Sequence, residues 1–88
     1  MRGMNTMLDD KTGTRNIAIN VQQRRIEKGM SRSELARRSG CNPVFISTLE
    51  GGEVQPGAVR LKRVADALDT STDALMAQPS ARLLEKAC

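Results

Sequence analysis

Apolar residues recur through the middle of the chain at helical spacing, and no stretch alternates as a half-buried strand would. Ile17 and Val21, with the stem of Arg24 or Arg25, make one face of a first helix over 17–28, which Gly29 stops. Ile26 and Met30 extend that face toward the next element. Residues 31–52, SRSELARRSGCNPVFISTLEGG, then read as two short helices joined by a tight turn. Ser31 caps the first and Glu34 completes a capping box. Leu35 and Ala36 face inward, and Gly40 supplies the left-handed residue that ends the helix. Asn42 is a good N-cap for the second helix, and Pro43 suits its first position, where no amide donor is needed. Phe45, Ile46 and Leu49 give that helix its apolar face.

Beyond Gly51 and Gly52, residues 53–56 read as a loop and 57–68 as a further helix. Val59 or Arg60, Leu61, Val64, Ala65 and Leu68 show helical periodicity, with Arg60, Lys62, Arg63 and Asp66 mostly outside. Residues 69–71 turn, Ser71 or Thr72 caps a short helix carrying Ala74, Leu75 and Met76, and Pro79 interrupts it. The pattern predicts an all-α bundle of five helices. Residues 1–16 show no sustained period and read as a flexible arm, a solvated tail before anything else. Residues 79–88 form a tail with Leu83 and Leu84 set among charges.

Composition narrows the function. Eighty-eight residues suffice for one domain with a modest core. Phe45 is the one aromatic, so the core is built from Leu, Ile, Val, Ala and Met. A formal charge of +4 favours a polyanion as partner. The lack of stacking aromatics argues against single-stranded RNA. There is no histidine, and the two cysteines, Cys41 and Cys88, stand far apart, which assembles neither a zinc site nor a disulfide framework. Cys41 is expected as a buried free thiol. Without histidine, a cysteine pair, a phosphate loop or paired carboxylates, acid–base and nucleophilic chemistry have no players, so no enzyme and no cofactor are expected. No run of about 20 apolar residues is present, and a cytoplasmic protein without a membrane partner is expected.

Certain residues occur together in a telling order: Arg25-Ile26 before Gly29, Glu34-Leu35-Ala36, Gly40, Ile46-Ser47, Leu49-Glu50, Gly52, Pro56, and Ala65 with Leu68. This set resembles the helix-turn-helix of the Cro/repressor-type, XRE-like DNA-binding proteins, over about residues 17–76. The resemblance implies a compact five-helix bundle of the lambda-repressor-like type, with residues 17–78 as the DNA-binding domain. It places the helix at about 43–51 in the major groove of double-stranded DNA. Its outward candidates for base edges are Pro43, Val44, Ser47 and Thr48, with Phe45 at the border. No Arg, Lys, Asn or Gln follows Asn42 in this helix, a departure from fork-type readout that points to thymine methyls, hydroxyl bonds and DNA shape.

Phosphate contacts are expected from Arg32, Asn42, Phe45, Arg60 and Lys62. Arg32 stands where the resembled family often has glutamine, and Glu53 where relatives often carry a base. The resemblance also implies a structural ion pair, Arg25 with Glu50. It implies a homodimeric repressor of the sort carried by phages and plasmids, acting on an inverted repeat and joined through Leu75, Met76, Leu83 and Leu84. The arm could in addition lay Arg2, Lys11 or Arg15 along a groove. Competing readings are an antitoxin-like module that also binds a toxin protein, a restriction–modification controller protein, and an interaction domain that uses Pro43, Val44 and Phe45 against a protein.

Overall fold

The computed structural model describes residues 10–79. Five helices follow one another: α1 (Asp10–Glu27), α2 (Arg32–Ser39), α3 (Pro43–Glu50), α4 (Ala58–Ala67) and α5 (Thr72–Met76). No strand occurs among the described residues. The sheath of helices closes on Ile17, Val21, Met30, Leu35, Ala36, Ile46, Leu49, Leu61, Val64, Ala65, Leu68 and Leu75. Each of the larger side chains contributes roughly 1.5–3 kcal/mol by leaving water.

Helix α1 starts at Asp10, not at Ile17, so part of the expected arm is helical. The reason is a polar member of the buried stripe. Thr14 is buried and continues the row of Ile17, Ala18 and Val21 backwards by one turn, which a purely apolar period does not register. Residues 1–9, the remainder of the expected arm, lie outside the described residues, as do 80–88 with Leu83, Leu84 and Cys88. Arg15 accordingly sits on α1, exposed, beside Ala18, Gly51 and Gly52 rather than on an arm.

The helix ends follow the sequence closely. Ser31 Oγ accepts the Glu34 amide at 3.0 Å, Asn42 Oδ1 accepts the Phe45 amide at 2.9 Å, and Ser71 Oγ accepts the Ala74 amide at 3.0 Å. The expected capping box is half formed, because the Glu34 carboxylate turns to Arg38 at 2.7 Å instead of back to Ser31. Gly40 closes α2 with φ 72°, and the Cys41 amide returns to the Ala36 carbonyl at 3.0 Å.

Four expected placements are corrected. Ile26 is exposed, because it faces away from the buried stripe of Ile17 and Val21, and beyond Gly29, at φ 71°, Met30 alone folds into the core. On α4 neither Val59 nor Arg60 packs inward; both belong to the exposed first turn, and the inner row starts at Leu61. Cys41 is half-buried rather than buried, lying against the core's edge. Leu75 is fully buried, which removes it from any dimer surface, whereas Met76 is exposed.

Helix α5 is too short to hold itself by its own hydrogen bonds. Asn20, buried on α1, ties it down: its Nδ2 donates to the Leu75 carbonyl at 2.8 Å and to the Ala77 carbonyl at 2.7 Å. Those acceptors are free because a helix leaves its last carbonyls unpaired.

Candidate nucleic-acid interface

Helix α3 is fixed by one face and open on the other. Ile46 and Leu49 are wholly buried. Opposite them Pro43, Val44 and Ser47 are exposed, Val44 at 72%. Thr48 stands half-buried at the margin. Its Oγ1 donates to the Val44 carbonyl at 2.7 Å, with the Phe45 carbonyl 3.1 Å away. The hydroxyl proton is thus held by the helix itself, leaving the methyl group and the oxygen lone pairs for a ligand. Asn42 likewise uses its side-chain oxygen as the cap, and its amide donors stay available at the exposed start of α3.

At that same end, Phe45 is half-buried, with its ring under Arg60: the guanidinium carbon lies 4.9 Å from the ring centroid. Gly40, Cys41, Asn42, Phe45, Arg60 and Arg63 line a polar pocket of about 250 Å³. The structure therefore gathers three of the sequence-predicted phosphate residues, Asn42, Phe45 and Arg60, in one place. Arg63, expected from the sequence only to face outward, joins them. The signal was there, since residues three apart on a helix share a face. Lys62 does not join them. It lies on another side of α4, paired with Asp66 at 2.9 Å and bordering Pro56, Ala58, Leu61, Thr72 and Met76.

The other end of α3 carries an ionic cluster. Arg25 grips Glu50 with two bonds, Nε to Oε2 at 2.7 Å and Nη2 to Oε1 at 3.0 Å, and its Nη1 donates to the Met30 carbonyl at 2.8 Å. The Glu50 side chain is 1% exposed. Arg32 joins the cluster, its Nε 3.1 Å from Glu50 Oε1, with a side chain 52% exposed. From the sequence, Arg32 is expected at a phosphate alone. Its second partner was foreseeable from position: Arg32 opens α2 and Glu50 closes α3. Cations thus flank both ends of the exposed face of α3, Arg32 at one end and Arg60 with Arg63 at the other. Among the described residues no group of His, Cys, Asp and Glu could hold a metal ion, and no helix is long and apolar enough to cross a membrane.

Residues 17–78 match the family described as the helix-turn-helix domain. The chain belongs to this family. Among solved structures, this helix-turn-helix chain is similar to the hypothetical transcription factor NHTF from Neisseria, at 27% identity and TM-score 0.76 over 88% of each chain. It is also similar to an HTH_3 family transcriptional regulator from Vibrio cholerae, at 25% identity and TM-score 0.72. That likeness covers 76% of this chain and 38% of the Vibrio protein, so the chain spans well under half of that relative. Hydroxypropylphosphonic acid epoxidase from S. wedmorenis shares the fold over 76% of this chain and 36% of its own, at 31% identity and TM-score 0.70. No curated protein matches the chain. The fold is that of the helix-turn-helix transcriptional regulators, all-α and compact.

Proposed function

We propose that this protein is a sequence-specific double-stranded DNA-binding transcriptional regulator, acting in the cytoplasm as a homodimeric repressor on an inverted-repeat operator. The observation that carries the reading is the exposed face of α3, bracketed by cations. Pro43, Val44 and Ser47 face solvent on a helix whose other side is locked into the core. Arg32 and the Arg60–Arg63 pair lie at its two ends. A helix that enters the major groove needs this arrangement, with readers on one face and phosphate binders on either side.

In this reading Val44 and Pro43 meet thymine methyls, Ser47 offers its hydroxyl, and Thr48 offers its methyl. Arg32, Asn42, Arg60 and Arg63 hold backbone phosphates, with Phe45 supporting Arg60 from below. Lys62 serves as a more distant charge. A single module of this size covers too little DNA for high specificity, so two copies on half-sites about 34 Å apart complete the site. With Leu75 buried, the described part of the dimer surface reduces to Met76 and its neighbours Pro56 and Ala58.

Selection from a random duplex library at fixed salt tests the reading. An enriched inverted repeat with half-sites one turn apart is the expected result. Exposed Val44 and Pro43 would equally suit an apolar protein partner, and folded protein that enriches no sequence would move the assignment there.

A further inference from the structure

Arg25 and Arg32 share the Glu50 carboxylate, but unequally. Arg25 is the more fully engaged: each of its three guanidinium nitrogens has an acceptor, two of them on Glu50. Arg32 touches Glu50 through Nε alone, at 3.1 Å, and its two Nη groups have no partner among the described residues. One buried carboxylate therefore faces two guanidinium charges, and the surplus positive charge emerges on the half-exposed Arg32.

A guanidinium held at Nε is restrained in position by that bond. Its two Nη groups, without a partner among the described residues, form the end-on fork that matches two oxygens of one phosphate. A free arginine must give up most of its rotamer freedom on binding, whereas one already held loses less. We propose that Glu50 is a positioning residue for DNA binding, which holds Arg32 as a preset clamp for one backbone phosphate. This rests on the DNA-binding reading above and deepens it. Because Glu50 ends α3, the same carboxylate that locks the reading helix to α1 also aims the phosphate clamp on α2. The register between base readout and backbone contact is set at one atom group.

Lysine separates aim from charge, since it keeps the positive charge but cannot hold Glu50 and a phosphate with one rigid fork. The test measures affinity of the full chain for a short labelled duplex carrying the selected site, or a mixed-sequence duplex at low salt if none is enriched. Arg32→Lys should lose nearly as much affinity as Arg32→Ala, roughly tenfold or more, while leaving the Arg25–Glu50 pair and the fold intact. In a folded Glu50→Gln background, Arg32→Ala should cost under about threefold, the non-additivity expected of coupled residues. Arg32→Lys binding as tightly as the parent would overturn the positioning role and leave the DNA reading standing. So would an Arg32→Ala loss that is equal in both backgrounds. Folded parent protein that holds no duplex at any salt removes the DNA reading and this inference together.

Discussion

Arg25 lies across Glu50 in a two-pronged pair, 2.7 and 3.0 Å, that joins the last turn of α1 to the last residue of α3. Glu50 is almost wholly buried, so Arg25→Ala strands a carboxylate with only the half-exposed Arg32 beside it. The expected loss is up to about 3–5 kcal/mol, set by a buried charge left with one half-exposed partner rather than by the worth of the pair. Urea denaturation measures it. A loss below about 1 kcal/mol, the level of a surface pair, would show that Arg32 and water suffice to hold the charge.

Asn20 is a second polar tie. Its amide serves two carbonyls at the end of α5, and Asn20→Ala leaves the Leu75 carbonyl buried without that donor. A destabilisation of about 1–3 kcal/mol is expected. The loss should appear first as faster amide exchange across residues 71–77, since a helix of five residues depends on its tether. Uniform exchange across all helices would instead make Asn20 a determinant of global stability alone.

Thr48 gives a sharper test of base reading. Its hydroxyl proton is held by the Val44 carbonyl at 2.7 Å, so the methyl is the better candidate for a base contact. Thr48→Val keeps the methyl and should keep the base preference. Thr48→Ser keeps the hydroxyl and should relax preference at one base pair, by about 0.8 kcal/mol for one lost methyl contact. Repeating the site selection with both variants decides between them, and the reverse ranking would return the role to the hydroxyl.

These sites differ in how legible they are from sequence. The two faces of α3 follow from Ile46 and Leu49 at helical spacing, and both caps that start α2 and α3 follow from Ser31 and Asn42. The partnership of Arg25 with Glu50 is legible only through the family resemblance, because nothing local couples residues so far apart. Thr14, Asn20 and the second partner of Glu50 escape an apolar period altogether. Each is a polar group buried or engaged by a tertiary contact. Leu75 misleads for the opposite reason. An apolar residue near the end of the motif suits a core and an interface equally, and only the packing of α5 against α1 and α4 decides for the core.

The Lys28–Asp69 pair, 2.9 Å, links the end of α1 to the turn before α5. The hydrogen bond from Lys28, and then its charge, hold the Asp69 carboxyl below its ordinary value. A folded value below the unfolded one means that the unfolded chain binds the proton more readily. The contribution is therefore present above about pH 4, the unfolded range, and is lost as pH falls through the folded value. Asp69→Asn should be slightly less stable than the parent at neutral pH and equal to it in strong acid. Asparagine also tolerates the left-handed backbone at this position, φ 56°, which isolates the charge. A stability gap that persists in strong acid would assign the effect to the backbone instead.

Gly40 sets the turn between α2 and α3, and its role there is purely conformational. Its φ is 72°, and a Cβ placed on it would meet nothing within 4 Å. Gly40→Ala should therefore cost about 1–2 kcal/mol of stability from backbone strain alone, and Gly40→Asn less. Gly51 is the control, since its φ of −80° is ordinary and its nearest contact to an added Cβ is the Ser47 carbonyl at 3.4 Å. Gly51→Ala should be close to neutral, because the reduced freedom of the unfolded chain offsets that contact. Thermal unfolding of the pair reads the contrast. If Gly40→Ala proved as mild as Gly51→Ala, the angle between the two helices would be set by Ala36 and Ile46 packing, with the turn following passively.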